Sequence, residues 1–411
     1  MHTMSIDTRP YEQRAARLRG FIVDLTLEIC RRRTVDYLLQ DYPQGGPDDM
    51  PAPGMEGRVT EVLAAHLDAW KVPYATHVRT PGRDNLLARI GRGEPGYRKL
   101  FLLLHTDTVP AGDRDAWKFD PFDPFEKDGK LYGRGVLDNK GPLAATFAAF
   151  KLLHEDETEI PGQVVFGAVG DEEVGVGDGI EFLLREGLID ATDAIVPDVA
   201  GEMREINVAE KGRLVVKVRA KGKQAHAMDP SKGVNAIHAA ARFLHELEGF
   251  RFAYEPHVLL DPPTINTGII RGGSAPNSVA ADCEVTLDIR YLPSQNAERI
   301  LADLEGIAAK VQMPGARFLI EKVQNARPCE VAPDAPIVKL IQQVAPDARP
   351  MGSGGGTFSK PLVHAGIQAV GWAPGHEATY HQANEEIEVA QLVTFAGRMA
   401  ALARAIASMR I

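Results

Sequence analysis

The sequence predicts an α/β fold built on a mixed, mostly parallel sheet that is flanked by helices. Short, uninterrupted apolar runs at 99–104, 163–169, 194–196 and 368–372 are typical of strands that are buried on both faces. Between the first two lies an apolar stretch at 142–153 that begins with proline, which suits the first turn of a helix. Because strands that alternate with helices form right-handed βαβ units, we expect these strands to be parallel.

Residue types that bind metal ions follow these strands. His105 and Asp107 come directly after the first apolar run, and Glu172 and Glu173 come shortly after the second. In open α/β sheets ligands bind beyond the carboxyl ends of the strands, so we expect these side chains to meet at one edge. The candidate ligands and acid/base groups are His105, Asp138, Glu172, Glu173, Asp198 and His381.

Two histidines and three carboxylates suit two four- or five-coordinate metal ions that share one carboxylate. Asp138 is the best candidate for the shared ligand, because glycines flank its turn at 133–141. Water between two such ions has a pKa of about 7 and supplies hydroxide at neutral pH. Zinc is the expected ion, with cobalt and manganese as alternatives. Asp193 and Glu202 are alternatives to Asp198.

The adjacent acids Glu172 and Glu173 suit two different tasks. Neighbouring side chains in an extended segment point in different directions, so one can bind metal while the other exchanges protons with water. We assign Glu173 as the ligand and Glu172 as the general acid/base, although spacing alone does not decide that order. Asp107 is expected to accept the imidazole N–H of His105, as carboxylates beside metal-bound histidines usually do.

Composition limits the other possibilities. A chain of 411 residues with 44% hydrophobic content is expected to form two domains. We see no apolar run near the roughly 18 residues that span a membrane, and no secretory signal. Three widely spaced cysteines predict a reducing cytoplasm. The net charge of −10 disfavours nonspecific binding to nucleic acid or anionic membranes.

Four strings carry a resemblance to a known family. They are HTDTVPAGD (105–113), LYGRGVLDNKG (131–141), GDEEVGVG (170–177) and YHQANE (380–385). They resemble the co-catalytic zinc hydrolases that include aminoacylase, acetylornithine deacetylase, succinyl-diaminopimelate desuccinylase and carboxypeptidase G. The resemblance covers nearly the whole chain and implies a zinc-exopeptidase-like fold.

The resemblance also implies roles for the candidate residues. His105 and Asp198 would bind one ion, Glu173 and His381 the other, and Asp138 would bridge them. The same likeness makes Glu172 the base and Asp107 the group that orients His105. It further implies a cis peptide bond between Asp138 and Asn139.

The resemblance also implies a smaller domain inserted between the last two ligands. The alternation at 214–220 predicts a strand, and the later segments continue a βαββαβ order that is typical of a ferredoxin-like unit. Its remaining elements are expected at 235–247 (helix), 264–270 (strand), 283–291 (strand), 297–311 (helix) and 317–321 (strand). The predicted boundaries are 1–208 and 324–411 for a discontinuous catalytic domain, and 209–323 for an inserted lid and dimerisation domain.

Substrate-binding residues are predicted from the same resemblance. The segment 222–237 looks like the family's substrate-histidine segment, so His226 would polarise the scissile carbonyl, in many members from the partner subunit of a homodimer. Asn277 and Arg290 resemble residues that hold the substrate's carboxylate, a task that suits the planar fork of arginine. For both residues a purely structural role is an equal alternative.

The glycine-rich segment 354–360 departs from the family pattern. Many deacylases have an acid where this chain has Phe358, which favours short peptides over acetylornithine. Gly356, Thr357 and neighbouring backbone N–H groups are still expected to receive a carboxylate. The segment is not a phosphate loop, because Lys360 is followed by Pro361.

The predicted function is hydrolysis of an amide or peptide bond in a small substrate with a free carboxylate. Exopeptidase or dipeptidase action is the first choice and N-acyl-amino-acid deacylation the alternative. A catalytically silent binding protein of the same fold is a remote third, because the chain retains every ligand and the base. The Pro- and Gly-rich segment 41–55 is predicted to be a long loop.

Overall fold

The computed structural model describes residues 6–37, 52–175 and 177–411, so most of the loop predicted at 41–55 lies outside the described residues. The chain divides into two compact units. The large unit comprises Met1–Val208, Val331–Met351 and Thr357–Ile411, and the small unit comprises Ala209–Glu330 and Gly352–Gly356.

The helices are α1 (Arg9–Arg17), α2 (Arg19–Arg31), α3 (Gly57–Trp70), α4 (Lys140–His154), α5 (Ile180–Arg185), α6 (Ala236–Glu248), α7 (Ala297–Lys310), α8 (Pro336–Val344), α9 (Ser359–His364) and α10 (Val389–Ala407). The strands are β1 (Tyr74–Val78), β2 (Asp84–Ile90), β3 (Lys99–His105), β4 (Phe125–Lys127), β5 (Lys130–Tyr132), β6 (Gln163–Val169), β7 (Asp193–Val196), β8 (Glu205–Glu210), β9 (Gly212–Lys221), β10 (Thr264–Gly272), β11 (Asp282–Tyr291), β12 (Arg317–Ala326), β13 (Cys329–Glu330), β14 (Arg349–Ser353), β15 (Gln368–Gly371) and β16 (Glu386–Glu388).

The main sheet is mixed, with the strand order β1-β2-β6-β3-β7-β15-β8-β13. Its four central strands, β6, β3, β7 and β15, are parallel. The outer pairs are antiparallel. The four apolar runs that predicted a parallel sheet are these central strands, so the predicted fold class is confirmed and its parallel part is the centre of the sheet.

Helices cover both faces of this sheet. Phe166 of β6 packs against Phe147 and Phe150 of α4, with ring centroids 5.0 and 5.6 Å apart. Its neighbour Val165 points to the opposite face, where it joins a buried cluster with side chains of α5 and α9. Because both faces are covered, these strands are apolar throughout and show no polar alternation.

Helix α10 corrects one expectation from the sequence. Within the described residues it is a helix long and apolar enough to cross a membrane, judged by length and composition alone. Most of its side chains are buried, and it packs against α1 and α4. Arg398 and Arg404 on this helix pair with Glu12 and Glu159. These contacts are those of the core helix of a folded domain.

The small unit has the predicted βαββαβ order. Its antiparallel sheet has the strand order β10-β11-β9-β12. Alternate side chains of β9 are buried in one apolar core with α6 and α7, so both helices cover the same face. Asn235 and Asn296 cap the two helices, since each side chain accepts N–H bonds from the first helical turn.

Candidate metal centre

The candidate ligands lie at the carboxyl edge of the parallel strands. His105 is the last residue of β3, and Asp198 closely follows β7. Glu172 and Glu173 follow β6, and His381 follows β15. The structure therefore brings together side chains that are far apart in sequence, as the strand pattern predicts.

Asp138 lies between the two histidines. Its Oδ1 is 2.9 Å from Nε2 of His105, and its Oδ2 is 2.7 Å from Nε2 of His381. On the first side Asp198 Oδ1 is 3.5 Å from His105 Nε2, and on the second side Glu173 Oε2 is 3.3 Å from His381 Nε2. Each oxygen of one carboxylate thus faces a different histidine. The Asp138–Asn139 peptide bond is cis, as the resemblance implies.

These side chains fit a pair of divalent cations. Glu173 Oε1 is buried without a hydrogen-bond partner among the described residues, which is costly unless a cation lies nearby. Hydrogen bonding to Asp138 raises the pKa of His381 to about 10, because the surrounding carboxylates favour a proton, and so a positive charge, at this position. Metal ions replace such protons when they bind imidazole and carboxylate groups.

The two adjacent glutamates face different partners. Glu173 forms one compact group with His105 and Asp138, while Glu172 forms another with His105 and Asp198. Burial, followed by repulsion from Asp198, raises the pKa of Glu172 well above its ordinary value. Burial also raises the pKa of Glu173, to about 7. Each of the two carboxylates therefore belongs to a group whose ligand atoms are close enough together to hold a metal ion.

Asp107 contacts His105 in a way that differs from the expectation. The Nδ1 atom of His105 is 3.0 Å from the main-chain oxygen of Asp107 and 3.5 Å from its carboxylate. The carboxylate instead accepts the backbone N–H of Glu173 at 3.0 Å. Asp107 thus orients the imidazole mainly through its carbonyl group and connects His105 to the glutamate loop through its side chain.

Glu385 supports the turn that carries Asp138, and the sequence analysis assigned it no role. Its buried carboxylate accepts backbone N–H bonds from Gly135, Leu137 and Asp138 at 2.8–3.2 Å. It also pairs with buried Arg134 at 2.6 Å. The only signal in the sequence was its place at the end of the YHQANE string. Glu385 therefore links the segment of His381 to the turn of Asp138.

A second buried acidic group, missed by the sequence analysis, lies beside Asp107. The Arg83 cluster consists of Arg83, Asp36, Glu56 and Asp171. The guanidinium pairs with Asp36, with Glu56 at 2.8 Å and with Asp171 at 3.5 Å. Burial raises the pKa of Asp36 to about 7 and that of Glu56 to about 8, and the charge of Asp107 adds to both shifts.

His226 and Asn277 meet in the small unit. His226 is exposed and forms a bridge with Ser278, and the N–H of Ala227 bonds to the carbonyl of Asn277 at 3.0 Å. Nδ1 of His226 accepts the backbone N–H of Met228 at 3.0 Å. In the neutral imidazole the proton must therefore be on Nε2, which is left as a donor.

Arg290 and the glycine run also meet in the small unit. The guanidinium pairs with Asp288 at 2.7 Å and donates to the carbonyl of Gly354 at 3.0 Å. Gly356 is the last residue of the small unit, and Thr357 is the first residue of the final segment of the large unit. The hydroxyl of Thr357 accepts the N–H of Ser359, the first residue of α9, at 3.1 Å.

Phe358 has a structural role in the large unit. It is 5% exposed and packs in the apolar cluster on the face of the main sheet that α5 and α9 cover. A side chain in that position contacts the core and not a substrate. The replacement of an acid by Phe358 therefore no longer favours peptides over N-acyl amino acids.

The chain matches the model of peptidase family M20/M25/M40 over residues 101–405 and belongs to that family. It is accordingly a metal-dependent hydrolase of amide or peptide bonds, as predicted. It is 34% identical to acetylornithine deacetylase of Myxococcus xanthus over 331 residues, covering 79% of this chain and 83% of that protein. It is 32% identical to succinyl-diaminopimelate desuccinylase of Stenotrophomonas maltophilia strain R551-3, covering 92% and 96%.

Solved structures share the fold. The M20 metallo-carboxypeptidase Sso-CP2 of Sulfolobus solfataricus matches with a TM-score of 0.73 and 18% identity, over 94% of this chain and 99% of that one. The YXEP protein of Bacillus subtilis, described as a dinuclear metal binding peptidase, matches with a TM-score of 0.66 and 16% identity, over 97% and 99%. At these identities the likeness concerns the fold alone.

Proposed function

We propose that the chain uses two divalent metal ions to hydrolyse an amide or peptide bond beside a free carboxylate. His105 and Asp198 would hold one ion, Glu173 and His381 the other, and Asp138 would bridge them. The observation that carries this proposal is the placement of the two Asp138 oxygens against two different histidines. When bound, the ions supply Lewis acidity and a water-derived nucleophile at neutral pH. Zinc is the proposed ion, with cobalt and manganese as alternatives.

Glu172 is proposed as the general acid/base. Its carboxylate lies beside His105 and Asp198, and burial raises its pKa well above the ordinary value, which makes it a stronger base than an exposed carboxylate. It would accept the proton of the attacking water and donate it to the departing amine. Asp107 would keep the ring of His105 and the backbone of Glu173 in place through the contacts described above.

The small unit is proposed to bind the substrate. The Nε2–H of His226 is a suitable donor to the oxygen of a scissile carbonyl, because its other ring nitrogen already accepts a backbone bond. Arg290, Asn277, Gly356 and Thr357 are proposed to receive the substrate's carboxylate. Of these, Arg290 is held in one orientation by Asp288, which prepares its remaining N–H groups for an anion.

The choice between peptides and N-acyl amino acids depends on the substrate pocket. Exopeptidase or dipeptidase action is one candidate, and the burial of Phe358 removes the reason for ranking it first. N-acyl-amino-acid deacylation is the second candidate, and it is favoured by the identity with acetylornithine deacetylase and succinyl-diaminopimelate desuccinylase. Both reactions break the same type of bond.

The test is a screen of dipeptides, tripeptides and N-acyl amino acids with the metal-reconstituted protein. We expect hydrolysis of at least one class, and a loss of about 10²- to 10⁴-fold in kcat for Glu172→Ala. Glu186→Ala, which changes an exposed residue, is the matched control. Hydrolysis that persists undiminished in Glu172→Ala would contradict the assigned mechanism. A wild-type protein that binds metal but cleaves no substrate would favour a silent binding protein.

A homodimer through the small unit is part of the proposal. Strand β10 is an edge strand, and Ile269 and Ile270 on it are 45% and 52% exposed. An apolar groove of about 820 Å³ runs between α6 and β10. An unpaired strand edge is a template for pairing with another chain, and exposed apolar patches often mark interaction sites.

Mixing inactive His226→Ala and Glu172→Ala protomers tests sharing of the site across such a dimer. We expect partial recovery of activity, because half of the sites in a mixed dimer would then hold both intact residues. If activity does not recover although subunit exchange is confirmed, a site shared between subunits is contradicted. The three buried thiols Cys30, Cys283 and Cys329 support a reducing compartment such as the cytoplasm.

A further inference from the structure

Tyr380 contacts one proposed ligand on each side of the metal centre. Its hydroxyl donates to Oδ1 of Asp198 at 2.7 Å. Its ring stacks on the imidazole of His381, with centroids 5.1 Å apart and an angle of 25° between the planes. Tyr380 therefore contacts a proposed ligand of each ion.

The hydroxyl bond orients Asp198. The same Oδ1 atom is 3.4 Å from the amide nitrogen of Asn139 and 3.5 Å from His105 Nε2, so the phenol is its shortest partner. A carboxylate that accepts a short bond from a fixed donor loses rotational freedom before it binds an ion. Partners of this kind commonly change metal affinity by about 10- to 100-fold.

The ring contact matters for a different reason. His381 is 47% exposed, and its backbone adopts a left-handed conformation with φ of 57°. An exposed imidazole has few neighbours that restrict its side-chain rotation. The flat face of Tyr380 covers one side of the ring and keeps Nε2 directed at Asp138 and Glu173.

We propose that Tyr380 is a positioning residue that sets the affinities of both ion sites, one through its hydroxyl and the other through its ring. This inference rests on the proposed ligand assignment. The inference predicts different results for two variants. Tyr380→Phe removes the hydroxyl and keeps the ring stacking, whereas Tyr380→Leu removes both contacts. The first should weaken only the ion held by Asp198, and the second should weaken both ions.

The experiment is a titration of chelator-stripped protein with Co²⁺, followed by visible absorption and by competition with a chromophoric chelator. We expect two binding steps in the wild type, and Asp198→Asn and His381→Ala identify them by each weakening one. Tyr380→Phe should weaken the Asp198 step about tenfold and leave the other unchanged. Tyr97→Phe, at the opposite end of β3, is the control and should change neither step.

The outcomes separate the two claims. If Asp198→Asn and His381→Ala each weaken one step but Tyr380→Phe changes neither, the role of the hydroxyl is overturned and the metal centre stands. If Tyr380→Leu leaves the His381 step unchanged, the role of the ring is overturned. If the wild type lacks two steps, or if the ligand variants change neither, the proposed centre fails and Tyr380 with it. If Tyr380→Leu does not fold, Tyr380→Phe still decides the role of the hydroxyl.

Discussion

Asp107 lies beside two groups of buried carboxylates that are neutralised in different ways. In the histidine cluster, formed by His105, Asp138, Glu173, Asp198 and His381, the positive partners are imidazoles. In the Arg83 cluster the positive partner is a guanidinium, whose side chain is only 8% exposed. The two groups have similar acids and different counter-charges.

The different positive partners suit the two clusters to different tasks. An imidazole exchanges its proton near neutral pH and offers a lone pair to a metal ion. A guanidinium keeps its proton and cannot bind a metal ion. The histidine cluster is therefore suited to an exchangeable cation and to chemistry, whereas the Arg83 cluster carries a permanent cation and is suited to holding loops in place. The predictions below test this division.

The largest effect is expected for Asp138→Asn. The amide keeps the size of the side chain but removes the charge that both ions would share. We expect both ions to be lost and hydrolysis to fall by about 10⁴-fold or more. Metal analysis of the purified variant and initial rates check this. Asp347→Asn, an exposed position in the same unit, is the control. Two bound ions in Asp138→Asn would refute the bridging role.

The second-largest effect is expected for Arg83→Met, which should lower the free energy of unfolding. The change leaves Asp36 and Glu56 buried without their cation, which typically costs about 3–5 kcal/mol. Urea unfolding of the metal-free protein measures it. The control is Arg92→Met, because Arg92 and Glu94 form an exposed pair, and such pairs contribute about 0–1 kcal/mol. Equal effects for the two variants would remove the distinction between the clusters.

Glu385→Gln should have an intermediate effect on stability and on metal binding. The amide no longer pairs with buried Arg134 and accepts the N–H bonds of the 135–138 turn more weakly. We expect a loss of about 2 kcal/mol in the free energy of unfolding and weaker metal binding. Glu386→Gln is a matched control, since the neighbouring Glu386 pairs with Lys130 at the surface. Unchanged metal affinity in Glu385→Gln would mean that the turn does not depend on this carboxylate.

The smallest effect, taken per pH unit, concerns the pH dependence of stability. Because the pKa of Glu56 is raised to about 8, the folded metal-free protein keeps a proton that the unfolded chain releases near its ordinary value of 4.5. Stability should therefore fall as pH rises between these values, and Glu56 accounts for at most about 1.4 kcal/mol of that fall per pH unit. Glu56→Gln should flatten this slope, and exposed Glu61→Gln should not. Identical slopes for wild type and Glu56→Gln would contradict the raised pKa.

The sequence predicted the parts that depend on local patterns. Uninterrupted apolar runs identified β3, β6, β7 and β15, because burial on both faces acts on consecutive residues. The imidazoles and carboxylates stood out because few side chains bind metal ions and most of the candidates followed such a run, whereas Asp138 was indicated by its glycine-flanked turn. The alternation in β9 indicated the small unit, because burial on one face of a sheet acts on every second residue.

Other parts depended on partners that are distant in sequence. Glu385 lies about 250 residues from the turn that it supports, and Arg83 bonds to carboxylates on three separate segments. The burial of Phe358 and the double contact of Tyr380 likewise required coordinates. No periodicity or spacing records such pairs.

The sequence alone therefore determined which chemistry is available and which strand ends carry it, because residue type and apolar periodicity are properties of short segments. Tertiary structure decided which of the acids receive a permanent cation and which are left for a metal ion. The physical reason is that the energy of a buried charge depends on the groups within a few ångströms of it, and these come from all parts of the chain.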